Sequence, residues 1–241
     1  MMDIIEVYDN YEHLGIMTRP ITIGEEFNMV REFIDYRKES YVPKSGKNMM
    51  IFIETKINDS YPDIIFTEYD ERFFEKWNDK RNRLTASDLK VLHYIFLKKS
   101  VSSQRIIRDM SISYKSLLIS LEALLDAELI DRNNQKWIIA DRNGIFGVRK
   151  IEAVEAKISK WDQVLQQAII NKAFSSESFI LSKRKRRPDL EVLEKTSSLG
   201  IGIYLYDSEN FMKYSSANRN KIPSNYNSIF LNECIGRIIN S

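Results

Sequence analysis

The stretch VEAKISKWDQVLQQA, residues 154–168, decides the fold class of this chain. Its first part is apolar enough for a buried strand, yet Glu155 and Lys157 stand two residues apart in it. Side chains alternate between the two faces of a strand, so these two charges share one face. The desolvation free energy of a buried ion pair usually exceeds the energy of its attraction. We therefore expect either that the strand end reaches solvent or that the charges have a function.

The composition restricts the class of protein. The chain has 241 residues, 43% hydrophobic and 29% charged, which predicts a globular protein of one large or two small domains. One cysteine, Cys234, excludes an internal disulfide, and with only two histidines it argues against structural zinc. No apolar run approaches the ~20 residues of a membrane span, and acidic residues near the N-terminus argue against an export signal. We therefore expect a cytoplasmic protein without a membrane partner.

The residues outside positions 85–140 are predicted to alternate between helices and strands. Residues 24–40 have helical spacing, and the apolar runs 49–57 and 63–69 read as a strand hairpin around the turn NDSYP. After the strand that ends at Lys157 we predict further elements: a helix at 159–174, strands at 178–182 and 201–206, a helix between Pro188 and Gly200, and a final helix at 226–240.

Residues 85–140 have a different pattern, with three helices followed by a short hairpin. This order resembles a winged helix-turn-helix, which implies DNA contacts by Tyr114, Lys115 and Ser116 at the start of the third helix and by Arg132 and Lys136 on the wing. The third helix is not basic, because Glu122 and Asp126 oppose Lys115. A dimerisation or docking module is therefore the alternative interpretation of this segment.

Without residues 85–140 the remainder joins into one core. Pro62-Asp63 begins one strand, Glu155-Ala156-Lys157 ends another, and Trp161 and Gln167-Ala168 follow on the next helix. This pattern resembles the PD-(D/E)XK nuclease superfamily, and in particular prokaryotic members whose core a winged helix interrupts. The resemblance implies an α/β fold in which residues 1–84 and 141–241 form a mixed-sheet, restriction-endonuclease-like core flanked by helices, and residues 85–140 form an inserted winged helix-turn-helix domain.

The resemblance also implies a magnesium site. Asp63, Glu155 and the backbone carbonyl of Ala156 would hold Mg²⁺, with Mn²⁺ as an expected substitute. Lys157 would orient the attacking water and offset transition-state charge, and Gln167 would hold a metal-bound water or a phosphate. A first-helix carboxylate often completes such sites. Our choice for it is Glu26, with Glu25 and Glu32 as alternatives.

Both short motifs occur twice in the chain. Glu54-Thr55-Lys56 repeats the Glu-x-Lys spacing, but we interpret it as an exposed strand edge because no Gln-bearing helix follows it. Pro188-Asp189 repeats Pro-Asp, but we interpret it as a helix start. The gap of 91 residues between Asp63 and Glu155 is long for the superfamily, and the inserted module accounts for most of it.

The expected function is metal-dependent hydrolysis of DNA, with double-stranded DNA as the partner. The net charge of +2 does not indicate a nucleic-acid binder by itself, so local patches must supply the contacts. The clearest patch is Lys183, Arg184, Lys185, Arg186 and Arg187. Double-strand cleavage would favour a homodimer. The alternatives are a non-enzymatic DNA-binding regulator with an inactive core, and an interaction module of a defence or mobile-element complex that needs a partner.

Overall fold

The computed structural model describes residues 4–9, 11–21, 23–158, 161–183, 188–207 and 210–241. They divide into two compact units. The first unit comprises Met1–Tyr69 and Val148–Ser224, and the second comprises Asp70–Gly147 and Asn225–Ser241. The predicted module 85–140 therefore lies within a larger unit that also takes in the C-terminal residues.

Both units contain helices as well as strands. In chain order, the helices of the described residues are α1 (Glu25–Glu39), α2 (Glu71–Phe74), α3 (Ala86–Lys98), α4 (Ser103–Met110), α5 (Tyr114–Asp126), α6 (Trp161–Asn171), α7 (Leu190–Leu199) and α8 (Tyr226–Ile239). The strands are β1 (Ile5–Val7), β2 (Lys47–Ile53), β3 (Ile64–Asp70), β4 (Ser100–Val101), β5 (Ile130–Asn133), β6 (Lys136–Ile139), β7 (Val148–Lys157), β8 (Glu177–Lys183), β9 (Gly202–Tyr206) and β10 (Phe211–Ser215).

The first unit is built on a mixed sheet, as predicted. Its seven described strands have the order β1-β2-β3-β7-β8-β9-β10. Strand β7 is antiparallel to β3 and parallel to β8, and β8 is parallel to β9. The central strands β3, β7 and β8 are largely buried, and β7 carries two charged residues, Glu152 and Glu155, at buried positions.

Helices cover both faces of this sheet. On one face, α1 packs Val30, Phe33 and Ile34 against a cluster that includes Val154 and Ala156 of β7. On the other face, α6 contributes Val164 and Ala168 to a smaller cluster with Ile180 and Ile201. The alternation predicted for β7 is therefore present, and Glu155 belongs to the face opposite that of Val154 and Ala156.

The second unit contains α3, α4 and α5 and a three-stranded antiparallel sheet of order β4-β6-β5. Thr85 and Asp88 form the predicted capping box at the start of α3. The final helix, α8, was expected to join the nuclease-like core. It instead contributes Ile229 to the apolar cluster of the second unit, which includes Leu92 and Leu121. In the described part of the chain no helix combines the length and hydrophobicity that crossing a membrane requires.

Two strands of the first unit were not predicted from the sequence. Both lie at the edges of the sheet, β1 on one side and β10 on the other. Strand β1 has three residues, and β10 is only partly buried along its length. Because an edge strand needs neither length nor a buried face on both sides, its sequence carries a weak signal.

Candidate active site

The register of β3 and β7 brings Asp63 and Glu155 together. Ile64 pairs with Val154 in the antiparallel ladder, so the residues one step beyond, Asp63 and Glu155, lie opposite each other and on the same face. The backbone N–H of Ala156 donates to Oδ2 of Asp63 at 2.7 Å. The two side chains are buried, with residue exposures of 6% for Asp63 and 2% for Glu155. The sequence prediction that these carboxylates adjoin across neighbouring strands is consistent with this geometry.

Two carboxylates side by side in a buried place resist ionisation. Burial raises the pKa of Asp63, although the Ala156 N–H and Lys157 act in the opposite direction. Burial and the adjacent Asp63 raise the pKa of Glu155 well above its ordinary value. Oε2 of Glu155 is buried and has no hydrogen-bond partner among the described residues. The pair therefore needs a proton or a cation to offset its charge.

Lys157 reaches back from the end of β7 to the first turn of α1. Its Nζ forms an ion pair with Oε1 of Glu26, the first-helix carboxylate that we selected from the sequence. Burial alone would lower the pKa of Lys157, but Glu26, Asp63 and Glu155 outweigh burial and raise it. Lys157 is therefore a fixed ammonium group beside the carboxylate pair. In this state it can bind an anion but cannot accept a proton.

Glu54 is a site residue that the sequence reasoning missed. We predicted an exposed strand edge there, but β2 is an inner strand of the sheet, and only 17% of the Glu54 side chain is exposed. Its backbone N–H donates to the carbonyl of Asp63 at 3.2 Å, across the turn that joins the two strands. Burial and the nearby Asp63 raise the pKa of Glu54 to about 7, even though Arg19 lowers it. The pairing of the predicted hairpin was the signal that could have located Glu54.

Arg19 supplies a second cation at this place. Its Nη2 lies 2.6 Å from Oε2 of Glu54 and 3.8 Å from Oδ1 of Asp63. Half of the Arg19 side chain is exposed, so it stands between the carboxylates and solvent.

A cavity of about 440 Å³ opens beside Arg19, Glu54 and Asp63. Its lining includes the carboxylate-bearing residues Glu25, Glu26, Glu54 and Asp63, together with Arg19. The volume falls within the range of small-ligand sites in proteins. The cavity is thus large enough for a phosphate group, and most of its charged lining residues are carboxylates.

Helix α6 holds Glu155 from the side opposite α1. The side-chain amide of Asn171 donates from Nδ2 to Oε1 of Glu155 at 2.6 Å, and Asn171 is itself buried. The predicted residue Gln167 lies one turn earlier on the same helix face, and its buried Oε1 has no hydrogen-bond donor among the described residues. The helix thus contacts Glu155 through Asn171, a residue not singled out in the sequence, and the role expected of Gln167, to hold a metal-bound water or a phosphate, stays a prediction.

The donor set fits a hard divalent cation. Asp63, Glu155, Glu54 and Glu26 are four carboxylates, and Lys157 and Arg19 are the two cations that contact them. If all six ionise, two negative charges stay uncompensated, which is the charge that Mg²⁺ or Mn²⁺ would balance. Oxygen donors are also the ligands that these ions prefer. In the described residues no group of three or more His, Cys, Asp or Glu is arranged to hold a metal, so the four carboxylates do not form one ligand cluster. The ligands that we propose are therefore only the Asp63–Glu155 pair and the Ala156 carbonyl.

The predicted nucleic-acid contacts lie in both units. In the second unit Tyr114, Lys115 and Ser116 form the exposed first turn of α5. Arg132 and Lys136 are exposed on the β5–β6 hairpin of the same unit.

The basic patch of the first unit begins at the sheet edge that carries the candidate site. Lys183 ends β8 one residue beyond Ser182, the register partner of Lys157, and it forms an ion pair with Glu25. The other members of the patch, Arg184, Lys185, Arg186 and Arg187, lie outside the described residues.

Comparison of the chain with protein-family models, curated proteins and solved structures gives no match in any of the three sets.

Proposed function

We propose that this chain is a metal-dependent DNA nuclease of the PD-(D/E)XK type. The observation that carries the proposal is the pairing of Asp63 with Glu155 on adjacent strands, with Lys157 following on the same strand as Glu155. Phosphodiester hydrolysis needs a cation beside the phosphate and a positive group for the developing charge. The carboxylate pair would hold the cation, and Lys157 would be the positive group.

Each side chain has a defined part in this proposal. Asp63, Glu155 and the Ala156 carbonyl would hold Mg²⁺, which when bound neutralises phosphate charge and lowers the pKa of the attacking water. Lys157, held by Glu26, would bind a nonbridging phosphate oxygen and stabilise the pentavalent transition state. Asn171 fixes the rotamer of Glu155, and Gln167 offers an unpaired amide oxygen on the same helix face.

The second unit supports a proposal about DNA binding. Its three helices followed by a β-hairpin have the order of a winged helix-turn-helix. In this proposal double-stranded DNA contacts Arg132 and Lys136 on the hairpin, the first turn of α5, and the basic patch that begins at Lys183. Binding would then weaken steeply as salt concentration rises.

A partner-dependent interaction module is the second candidate. The observation that favours it is the charge of α5, whose exposed residues include Lys115 but also Glu122 and Asp126. A helix of this charge would contribute little to non-specific affinity for phosphates. In that case the isolated chain would bind DNA weakly even at low salt and would cleave it only with a partner.

The test is a plasmid-cleavage assay with Mg²⁺ or Mn²⁺ on the native chain and on Lys157→Ala and Glu155→Ala. The matched control is Lys150→Ala, because Lys150 lies on the same strand and pairs with the carboxylates Glu152 and Glu177. Metal-dependent nicking or linearisation that both site variants lose and the control keeps would support the nuclease and its site together.

Two other results would count against the proposal. Cleavage that survives Lys157→Ala and Glu155→Ala would show that the site lies elsewhere. Salt-sensitive DNA binding without cleavage, unaffected by both substitutions, would favour the non-enzymatic regulator.

A further inference from the structure

Helix α5 exposes an apolar stripe to solvent. Tyr114, Leu118 and Leu125 are exposed by 62%, 46% and 41%. They stand at spacings of four and seven residues, which places them on one side of the helix. Apolar side chains that are exposed side by side on a helix mark an interaction surface more often than a freely solvated face.

The stripe stands on a rigid base. Leu117, Leu121 and Leu124, on the side of α5 next to the stripe, anchor the helix in the apolar cluster of the second unit. The side chain of Ser113 caps the helix by accepting from the backbone N–H of Ser116 at 3.0 Å. A partner that docks on α5 would therefore meet a preorganised surface, and little entropy would be lost in ordering it.

The charged residues beside the stripe would complement those of an identical helix that packs against it in the antiparallel direction. Lys115 lies in the N-terminal half of the exposed face, and Glu122 and Asp126 lie in the C-terminal half. In an antiparallel pair of identical helices, the N-terminal half of each faces the C-terminal half of the other. A register that sets Tyr114 opposite Leu125 of the second copy also places Lys115 within one turn of Glu122 and Asp126.

We propose that the exposed face of α5 binds the same face of a second copy of this chain, in an antiparallel two-fold arrangement. The contact is isologous, so each apolar pair and each ion pair occurs twice. A helix of 13 residues buries less than a standard interface, so the dissociation constant is expected to be roughly micromolar. This inference goes beyond the proposed nuclease activity and does not depend on it.

The pairing has a consequence for the proposed function. It would withdraw Tyr114 and Lys115 from DNA and leave Arg132 and Lys136 as the contacts of the second unit. It would also give the assembly two copies of the Asp63–Glu155 site, as double-strand cleavage by one complex requires. Because the contact itself does not involve these carboxylates, the dimer can be tested whether or not the chain cleaves DNA.

The experiment is sedimentation equilibrium of the full chain over a concentration series, with three variants of exposed α5 residues. Lys115→Glu and Glu122→Lys each place like charges across the two-fold axis, and because each pair occurs twice we expect the dissociation constant to rise roughly tenfold. The double variant K115E/E122K restores opposite charges, and it should bring the dissociation constant back toward the native value. Circular dichroism would verify that each variant keeps its helical content.

Two results would overturn the proposal. A native chain that stays monomeric at about 100 µM lacks this self-association. A dimer that weakens with neither single substitution uses another surface. If α5 instead contacts DNA, Lys115→Glu would weaken DNA binding, Glu122→Lys would strengthen it, and sedimentation would not change. That pattern would also reject the dimer.

Discussion

Asn171 donates a hydrogen bond from its side-chain Nδ2 to Oε1 of Glu155 at 2.6 Å, between two residues that are both buried. The bond ties the last turn of α6 to the C-terminal end of β7. It satisfies one oxygen of Glu155 and leaves the other, Oε2, without a donor among the described residues and beside Asp63. The helix therefore fixes which carboxylate oxygen is free to bind a cation.

Replacing Asn171 by alanine should weaken metal binding without removing a ligand. The change frees the Glu155 carboxylate to rotate, and loss of such a supporting contact typically costs about 10- to 100-fold in metal affinity. Calorimetric titration with Mn²⁺ would measure the loss. The matched control is Asn48→Ala, since Asn48 is a buried asparagine of the same unit whose side chain accepts from the neighbouring Met49 N–H. Equal losses in the two variants would show a general effect of removing a buried amide.

Replacing Glu155 by glutamine should stabilise the metal-free protein while abolishing cleavage. An acid whose pKa is raised in the folded state destabilises that state when it ionises, and burial and Asp63 raise the pKa of Glu155. An amide at position 155 removes the charge, so we expect the Tm at neutral pH to rise by a few degrees. Differential scanning calorimetry in a chelating buffer would detect the change.

The same calorimetry with added metal tests the site independently of activity. A ligand present at 100 times its dissociation constant stabilises the folded state by about 2.7 kcal/mol. Mn²⁺ should therefore raise the Tm of the native chain but not that of Glu155→Gln. A shift of equal size in both proteins would place the bound metal elsewhere.

The central part of the fold could be predicted from the sequence because its strands are long and buried. Residues 63–69 carry a near-continuous apolar run, the strand ending at Lys157 places apolar residues between its charged ones, and α1 has a clear helical stripe. The location of α8 could not be predicted in the same way. Its buried apolar residues, such as Ile229 and Ile235, would suit either core, and only tertiary packing places Ile229 in the cluster of the second unit.

The candidate site was predictable only where spacing along the chain encodes it. The Glu-x-Lys spacing puts Glu155 and Lys157 on one face whatever the rest of the chain does. Glu54 enters the site through strand pairing with Asp63, and Arg19 enters it through a long-range ion pair. No local pattern marks Arg19, and the second Glu-x-Lys spacing at Glu54 did not show by itself that this residue adjoins Asp63.

The buried carboxylate Glu152 should make the stability of the protein sensitive to acid. Burial alone would raise the pKa of Glu152, but Arg37 and Lys150 outweigh burial and lower it to about 2. A folded-state pKa below the unfolded value of 4.5 adds stability that is complete above pH 4.5 and is lost as the pH falls toward 2. The full contribution is about 3 kcal/mol.

Urea unfolding at a series of pH values would measure this contribution. Glu152→Gln should be markedly less stable than the native chain at pH 7, because Arg37 and Lys150 lose their buried partner, and the difference should shrink as the pH falls below 4.5. Glu177→Gln is the control, because Glu177 pairs with the same Lys150 but is partly exposed. Parallel stability curves for the native chain and Glu152→Gln would contradict the assignment.

Arg19 should compete with a bound cation for the carboxylates. It lies 2.6 Å from Glu54 and 3.8 Å from Asp63, so Arg19→Gln removes a positive charge from beside a proposed metal ligand. Because half of the Arg19 side chain is exposed, solvent screens this repulsion, and we expect Mn²⁺ affinity to rise only several-fold. Glu54→Gln should have the opposite effect, since it removes negative charge from the same cavity.

Arg31→Gln provides the control for Arg19→Gln. Arg31 is a partly exposed arginine of the same unit that lies 2.6 Å from the carboxylate of Glu6, and it is not among the residues that line the carboxylate cavity. Manganese titration of the variants therefore separates a local effect from a change in total charge. If Arg31→Gln tightened Mn²⁺ binding as much as Arg19→Gln, net charge would explain both, and Arg19 would have no particular relation to the metal. If only Arg19→Gln tightened Mn²⁺ binding, the bound Mn²⁺ would lie close enough to Arg19 to be repelled by it, as a site at Asp63 requires.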